Sequence, residues 1–118
     1  MQLEILKSKI HRACVTDANI EYEGSITIDK KLADSAGIVE NEKVQVVDLD
    51  NGARVWTYVI MGKPGSKEMI INGAAAHLIK KGDRIIVMSF CGLTPEEYTG
   101  FKPYKIVLNE NNEIIKKV

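Results

Sequence analysis

Cysteine is scarce in this chain of 118 residues: Cys14 and Cys91 stand alone, in no CxxC pair and at no metal-ligand spacing from a histidine. That excludes a disulfide framework, and the two thiols are expected to be buried or half-buried in a reducing compartment. Histidine is equally sparse, with His11 and His77 only. Two imidazoles are too few for a zinc site without carboxylate help, so no metal is expected. An excess of charge is missing as well: 16 Lys and Arg face 16 Asp and Glu, for a net charge of +0. A neutral chain exerts no general pull on phosphate backbones or anionic lipid, which argues against nucleic acid and membrane surfaces as partners. No apolar run approaches the ~20 residues that a bilayer span needs. The first 13 residues alternate charged with apolar side chains and cannot serve as a signal-peptide core, so a cytoplasmic protein is expected. Repeats, low-complexity tracts and Pro/Gly/Ser-rich linkers are also lacking. What remains is a single domain over residues 1–118, whose 45% hydrophobic content suffices for one core.

Strand signals predominate in what is present. Residues 9–16, KIHRACVT, would as a strand place Lys9, His11, Ala13 and Val15 on one face and Ile10, Arg12, Cys14 and Thr16 on the other. A β-like run over 25–29 follows Gly24, and a short helix over 30–36 stops at Gly37, where positive φ carries no steric cost. Residues 43–49 and 54–61 are β-branched and apolar around Asp50-Asn51-Gly52, which predicts a type I′ hairpin turn. Further strands are expected over 68–71, 84–90, 105–108 and 113–118. Asn72 is expected to cap a helical turn through 78, and Thr94 with Pro95 to open another. Many short strands with only helical turns between them define an all-β chain, a small closed barrel.

Pattern alone supplies no Ser-His-Asp spacing, phosphate-binding glycine loop or zinc signature. The informative feature is a set of segments in order: Lys9-Ile10-His11-Arg12, Tyr22-Glu23-Gly24-Ser25, Ala36-Gly37-Ile38-Val39-Glu40-Asn41-Glu42, Asn51-Gly52-Ala53-Arg54, Thr57-Tyr58, Asn72-Gly73-Ala74-Ala75-Ala76-His77 and Gly82-Asp83. Together, over residues 1 to about 100, they closely resemble the pyruvoyl-dependent aspartate 1-decarboxylases, which make β-alanine for pantothenate. The resemblance implies a double-psi β-barrel, assembled as a homotetramer with active sites between subunits. It also leaves room for an accessory maturation protein.

The implied chemistry gives these residue types a physical reason. Decarboxylating an amino acid leaves an electron pair on the α-carbon that no ordinary side chain can accept, so an electron sink is required. A peptide-borne ketone, the pyruvoyl group, can form a Schiff base with L-aspartate and serve as that sink. At Gly24-Ser25 the Ser25 hydroxyl can attack the Gly24 carbonyl. The ester formed then eliminates and hydrolyses, leaving a 1–24 fragment and a 25–118 fragment that begins with the pyruvoyl group. Glycine at 24 would remove Cβ bulk and allow a strained geometry. Without the resemblance, Gly24-Ser25 reads as an ordinary turn opening a strand.

Arg54 and Tyr58 lie four apart on one strand face, with Thr57 opposite. Resemblance assigns Arg54 to a substrate carboxylate, which its planar fork suits, and Tyr58 to the proton that quenches the carbanion. Thr57 would polarise the Gly24 carbonyl and later contact substrate. Asn72, Gly73, Ala74 and Ala75 would present small side chains and backbone N–H groups to the ligand. Lys9 would add positive charge, and His11 reads equally as a site residue or a structural hydrogen-bonder. Residues 26–44 also resemble the repeat of swapped-hairpin barrel DNA-binding regulators, a competing assignment that zero net charge disfavours. The tail beyond residue 100 reads as a solvated edge.

Overall fold

The computed structural model describes all residues 1–118. Nine strands, β1 (Leu3–Cys14), β2 (Asp17–Asn19), β3 (Ser25–Asp29), β4 (Lys43–Asp48), β5 (Arg54–Gly62), β6 (Met69–Asn72), β7 (Arg84–Leu93), β8 (Tyr104–Leu108) and β9 (Ile114–Lys117), are joined by two short helices, α1 (Lys30–Ser35) and α2 (Pro95–Tyr98), and a 3-10 turn over Gly73–His77. The strands form one sheet in the order β2-β6-β3-β5-β4-β7-β1-β8-β9. β1 lies near one end of that order, and β2, its continuation after two residues, lies at the other. The sheet therefore curls back on itself as an all-β barrel. Parallel pairs β3–β5, β2–β6 and β1–β8 interrupt the antiparallel ladder, so the topology is not a simple meander. Isoleucine and valine fill the interior, with Ile10, Ile26, Ile28, Val44, Val59, Ile71, Ile85, Val87 and Ile106 each at most 1% exposed. Their β-branched side chains pack well on a pleated surface.

Several expected elements stand as read. β3 spans the expected residues, and Gly37 ends α1 with φ +66. Thr94 forms a capping box with Glu97, each side chain bonding the other's backbone N–H. Asp29, 1% exposed, caps α1 through Lys31 N and also accepts from Gly65 N and Lys67 N. A single carboxylate thus secures both the helix start and the loop that returns to β6.

Three local expectations are corrected. The alternation of residues 9–16 breaks at Arg12, whose φ of +67 makes a bulge where the β1–β7 register shifts between His11 and Ala13. Lys9 and His11 still share a face, but Ala13 and Val15 join Ile10 in the core, because the extra residue turns the strand over. The turn at Asp50-Asn51-Gly52 is not type I′, since of its residues only Gly52 has positive φ. A wider loop closes instead through Asp48 N to Ala53 O and Gly52 N to Asp48 O. Asn51 points its amide away to Leu78 O, 2.7 Å. Finally, the tail is not merely a solvated edge. Asn112, 2% exposed with φ +56, accepts from Cys14 N and donates to Cys14 O and Lys67 O, clipping the β8–β9 hairpin to the end of β1.

Candidate active site around Gly24 and Ser25

Ser25 opens β3, which runs antiparallel to β6 and parallel to β5. In that register it faces Asn72, the last residue of β6. The Asn72 amide Nδ2 donates to Ser25 Oγ and to Thr27 Oγ1, both at 3.0 Å. Its two hydrogens are thereby used, and its side chain makes no capping bond to the 3-10 turn that follows. The expected N-cap is thus corrected: cross-strand hydroxyls have taken the amide. Ser25 and Asn72 are 2% and 5% exposed, so this pair is largely shielded from water, with Thr27 half-buried beside it. Thr27, on the same strand face as Ser25, is a site residue that the sequence reading did not single out. Only its period-2 relation to Ser25 could have marked it.

The Gly24–Ser25 bond lies between two concave surfaces. On one side a cleft of about 490 Å³ is lined by Ser25, Thr27, Asn72 and Tyr58, with Tyr22 and Glu23 at its edge and the apolar Ile60 and Ile70 on its wall. On the other a depression of about 300 Å³ is lined by Gly24, Thr57, Asn72, Ala74 and Ala75. Neighbouring residues of β5 fall on opposite sides, Tyr58 and Ile60 lining the first surface and Val55, Trp56 and Thr57 the second. Asn72 borders both.

Close approach holds the segment before Ser25 in place. A Cβ on Gly73 would lie 2.7 Å from Gly24 Cα, 2.8 Å from Gly24 N and 2.9 Å from Tyr22 O, and Gly73 has φ +79. A Cβ on Gly24 would meet nothing within 4 Å, and Gly24 is not in the left-handed region. The steric demand for glycine expected at 24 therefore falls on 73. Gly73→Ala is expected to displace residues 22–24 from the turn and to slow any backbone cleavage there at least about tenfold, since a positive-φ strain and a backbone clash add. The fraction of intact chain, followed over time by denaturing gel, measures it.

Lys9, His11 and Arg54 line neither surface of this chain. Lys9 and His11 sit on β1, which is separated from β3 by β7, β4 and β5 in the sheet order. Burial, and then the charges of Lys9, Arg12 and Arg84, hold the His11 imidazole below its usual pKa, and its Nδ1 is buried without a partner. Arg54 is exposed and donates from Nη1 to Gln45 Oε1, 3.3 Å. Trp56, 54% exposed, meets Phe90 edge-on with the Lys43 ammonium 4.9 Å from its ring centroid, leaving an aromatic surface uncovered.

The chain is thus a small all-β barrel with a buried serine at a strand start, its hydroxyl held by an asparagine amide and its preceding glycine closely approached by a second glycine. The family model described as aspartate decarboxylase matches residues 1–115. The chain is 55% identical over 116 residues to the aspartate 1-decarboxylase of Caldicellulosiruptor saccharolyticus, an alignment covering 98% of this chain and 91% of that protein. It is 56% identical, with the same coverage, to the aspartate 1-decarboxylase of Clostridium kluyveri, and 54% identical to that of Clostridium botulinum. The chain belongs to the aspartate decarboxylase family. These matches give no support to the DNA-binding alternative.

Proposed function

We propose that this protein decarboxylates L-aspartate to β-alanine and CO2, for pantothenate synthesis, using a pyruvoyl group that it makes from its own Ser25. The observation that carries the reading is the buried Ser25 hydroxyl, held by Asn72 beside a Gly24 backbone that Gly73 presses on. In self-processing, Ser25 Oγ attacks the Gly24 carbonyl carbon and the Gly24–Ser25 amide C–N bond breaks, moving the acyl group from nitrogen to oxygen. Thr57, on the Gly24 side, donates a hydrogen bond to the carbonyl oxygen as negative charge develops there. Elimination then breaks the Cβ–Oγ bond, releasing residues 1–24 as a carboxylate that keeps both ester oxygens. Water hydrolyses the remaining enamine, ammonia leaves, and residue 25 ends as a ketone.

The donor set suits that group. Once Oγ has departed with Gly24, an Asn72 N–H is free beside residue 25, where a carbonyl oxygen can accept it. When formed, the group supplies an electron-withdrawing ketone that holds substrate nitrogen covalently and takes up the charge left by CO2. Tyr58, from the same cleft, donates its phenolic proton to the substrate α-carbon. A phenol suits the task because it brings no negative charge against a dicarboxylate. Ala74 and Ala75 bring small side chains to the Gly24-side depression, where backbone N–H groups can meet a substrate carboxylate, while Gly73 is buried against Gly24 and lines neither surface.

Arg54 and Lys9 complete the site from neighbouring subunits of a homotetramer, with His11 beside Lys9. Support comes from their absence from the cleft of the single chain and from the uncovered Trp56–Phe90 surface. The reading places the enzyme in the cytoplasm, where the free thiols of Cys14 and Cys91 stay reduced, with maturation open to an accessory protein.

Intact-mass analysis of the purified protein tests this reading. Two fragments meeting between residues 24 and 25 are expected, and borohydride with aspartate should add a reduced amine to the larger one only. An active sample consisting of one uncut chain overturns the proposal.

A further inference from the structure

We propose that Asp48, Asp50 and Asp83 form a binding site for one hard divalent cation of the calcium class, which braces the β4–β5 loop against the turn that opens β7. The three residues each offer a carboxylate oxygen, and these oxygens lie within 4.8 Å of one another. Asp48 ends β4, Asp50 follows in the loop, and Asp83 precedes β7.

Asp48 is the decisive member. It is fully buried, at 0% exposed. Oδ1 accepts from Asp50 N at 2.7 Å, whereas the buried Oδ2 receives no N–H or hydroxyl donor and the Asp83 carboxyl is the polar group beside the residue. A buried carboxylate oxygen left without a partner is costly unless a proton or a cation satisfies it.

No side-chain cation forms an ion pair with the cluster. The three ion pairs of the chain are Lys7–Glu42, Lys30–Asp34 and Lys67–Glu113. The Asp83 carboxyl is held below its usual pKa first by its Asp48 neighbour and also by the charge of Lys80, whose Nζ is directed to Ala76 O, and the Arg84 guanidinium donates to Arg12 O and Leu108 O. Three carboxyl groups thus converge with no ion pair to any of them.

The loops are built to hold the oxygens. Asp50 Oδ2 accepts from Arg84 N, 3.1 Å, and Asp83 Oδ2 from Lys80 N, 3.0 Å. Each of those two carboxylates is oriented by one backbone N–H and keeps lone pairs free. Donor identity selects the ion, because an all-carboxylate set suits hard cations and disfavours zinc or copper. Oxygens no more than 4.8 Å apart can share one ion at Ca–O distances of about 2.3–2.6 Å, and calcium accepts flexible coordination where magnesium demands a near-ideal octahedron. Asp50 is exposed, so water can complete the coordination on that side. The ion would join both ends of a frame that touches the Gly24-side depression, because Asn51, next to Asp50, holds the Leu78 carbonyl there.

The test is calcium titration of the full-length, assembled protein after EDTA treatment and dialysis, by calorimetry and thermal melting. One saturable calcium per chain is expected, with Kd in the range of about 0.1–1 mM for so few ligands. At about ten times Kd the melting midpoint should rise by roughly 4–8 °C. Asp50→Asn, in an exposed loop, should weaken calcium binding at least tenfold while its melting midpoint in EDTA stays within about 2 °C of the parent. Asp48→Asn should abolish the calcium response and raise the midpoint in EDTA, since it removes the buried charge. No saturable heat and no thermal shift up to about 10 mM calcium overturns the site in favour of a proton shared between Asp48 and Asp83. An equal shift in Asp50→Asn overturns it in favour of calcium bound elsewhere.

Discussion

Ser25→Ala yields one uncut chain with no reactive carbonyl and an aspartate decarboxylation rate at least about 10⁴-fold below that of the parent, since both the nucleophile and the source of the electron sink are removed. The loss is chemical, not a failure to fold. Ser25 is 2% exposed at the start of β3, and alanine fits the space it occupies. The substitution leaves one hydrogen of the Asn72 amide unpaired while the other remains on Thr27, at a cost of about 1–3 kcal/mol. Intact mass and a thermal melt measured together check the result: an uncut chain that melts cooperatively with no activity is expected. A cleaved or active Ser25→Ala protein would remove Ser25 from its role.

Tyr58→Phe separates the two stages of the chemistry. Tyr58 lies on the Ser25 side of the Gly24–Ser25 bond, whereas Thr57 lies with Gly24 on the other. Cleavage should therefore run as in the parent, because the ring and its packing are kept and the hydroxyl assigned to the Gly24 carbonyl is that of Thr57. Turnover should fall about 10²–10⁴-fold, the usual contribution of a positioned general acid, with KM for aspartate little changed. Single-turnover measurement on fully cleaved protein distinguishes the outcomes. An unchanged kcat assigns the proton to another donor, and a parallel loss of cleavage assigns Tyr58 to processing instead.

Elements were legible in the sequence where the signal is local. The β3 run after Gly24, the Gly37 stop and the Thr94-Pro95 helix start each depend on a few consecutive residues, and each stands in the fold as read. The bulge at Arg12 was not legible, since alternation cannot reveal the point at which a strand gains a residue; its partner β7 fixes that. β2, three residues long, exists as a strand only because β6 lies alongside it. Asn112 falls in the tail that reads as a solvated edge, and its buried clip to Cys14 spans 98 positions of chain. The acidic trio was equally hidden: Asp48 and Asp50 are separated from Asp83 by two strands and the 3-10 turn.

By itself the sequence determined the class of fold, the Gly24-Ser25 pair and the presence of a tyrosine and a threonine adjacent on one strand, because these follow from composition, two-residue periodicity and contiguous motifs. Tertiary structure decided which hydroxyls the Asn72 amide binds, that Gly73 and not Gly24 carries the steric demand for glycine, and that Lys9, His11 and Arg54 lie outside the cleft of their own chain. Those outcomes depend on strand order and register. Both are set by how the whole barrel closes around its isoleucine and valine core, and no short stretch of residues encodes that closure.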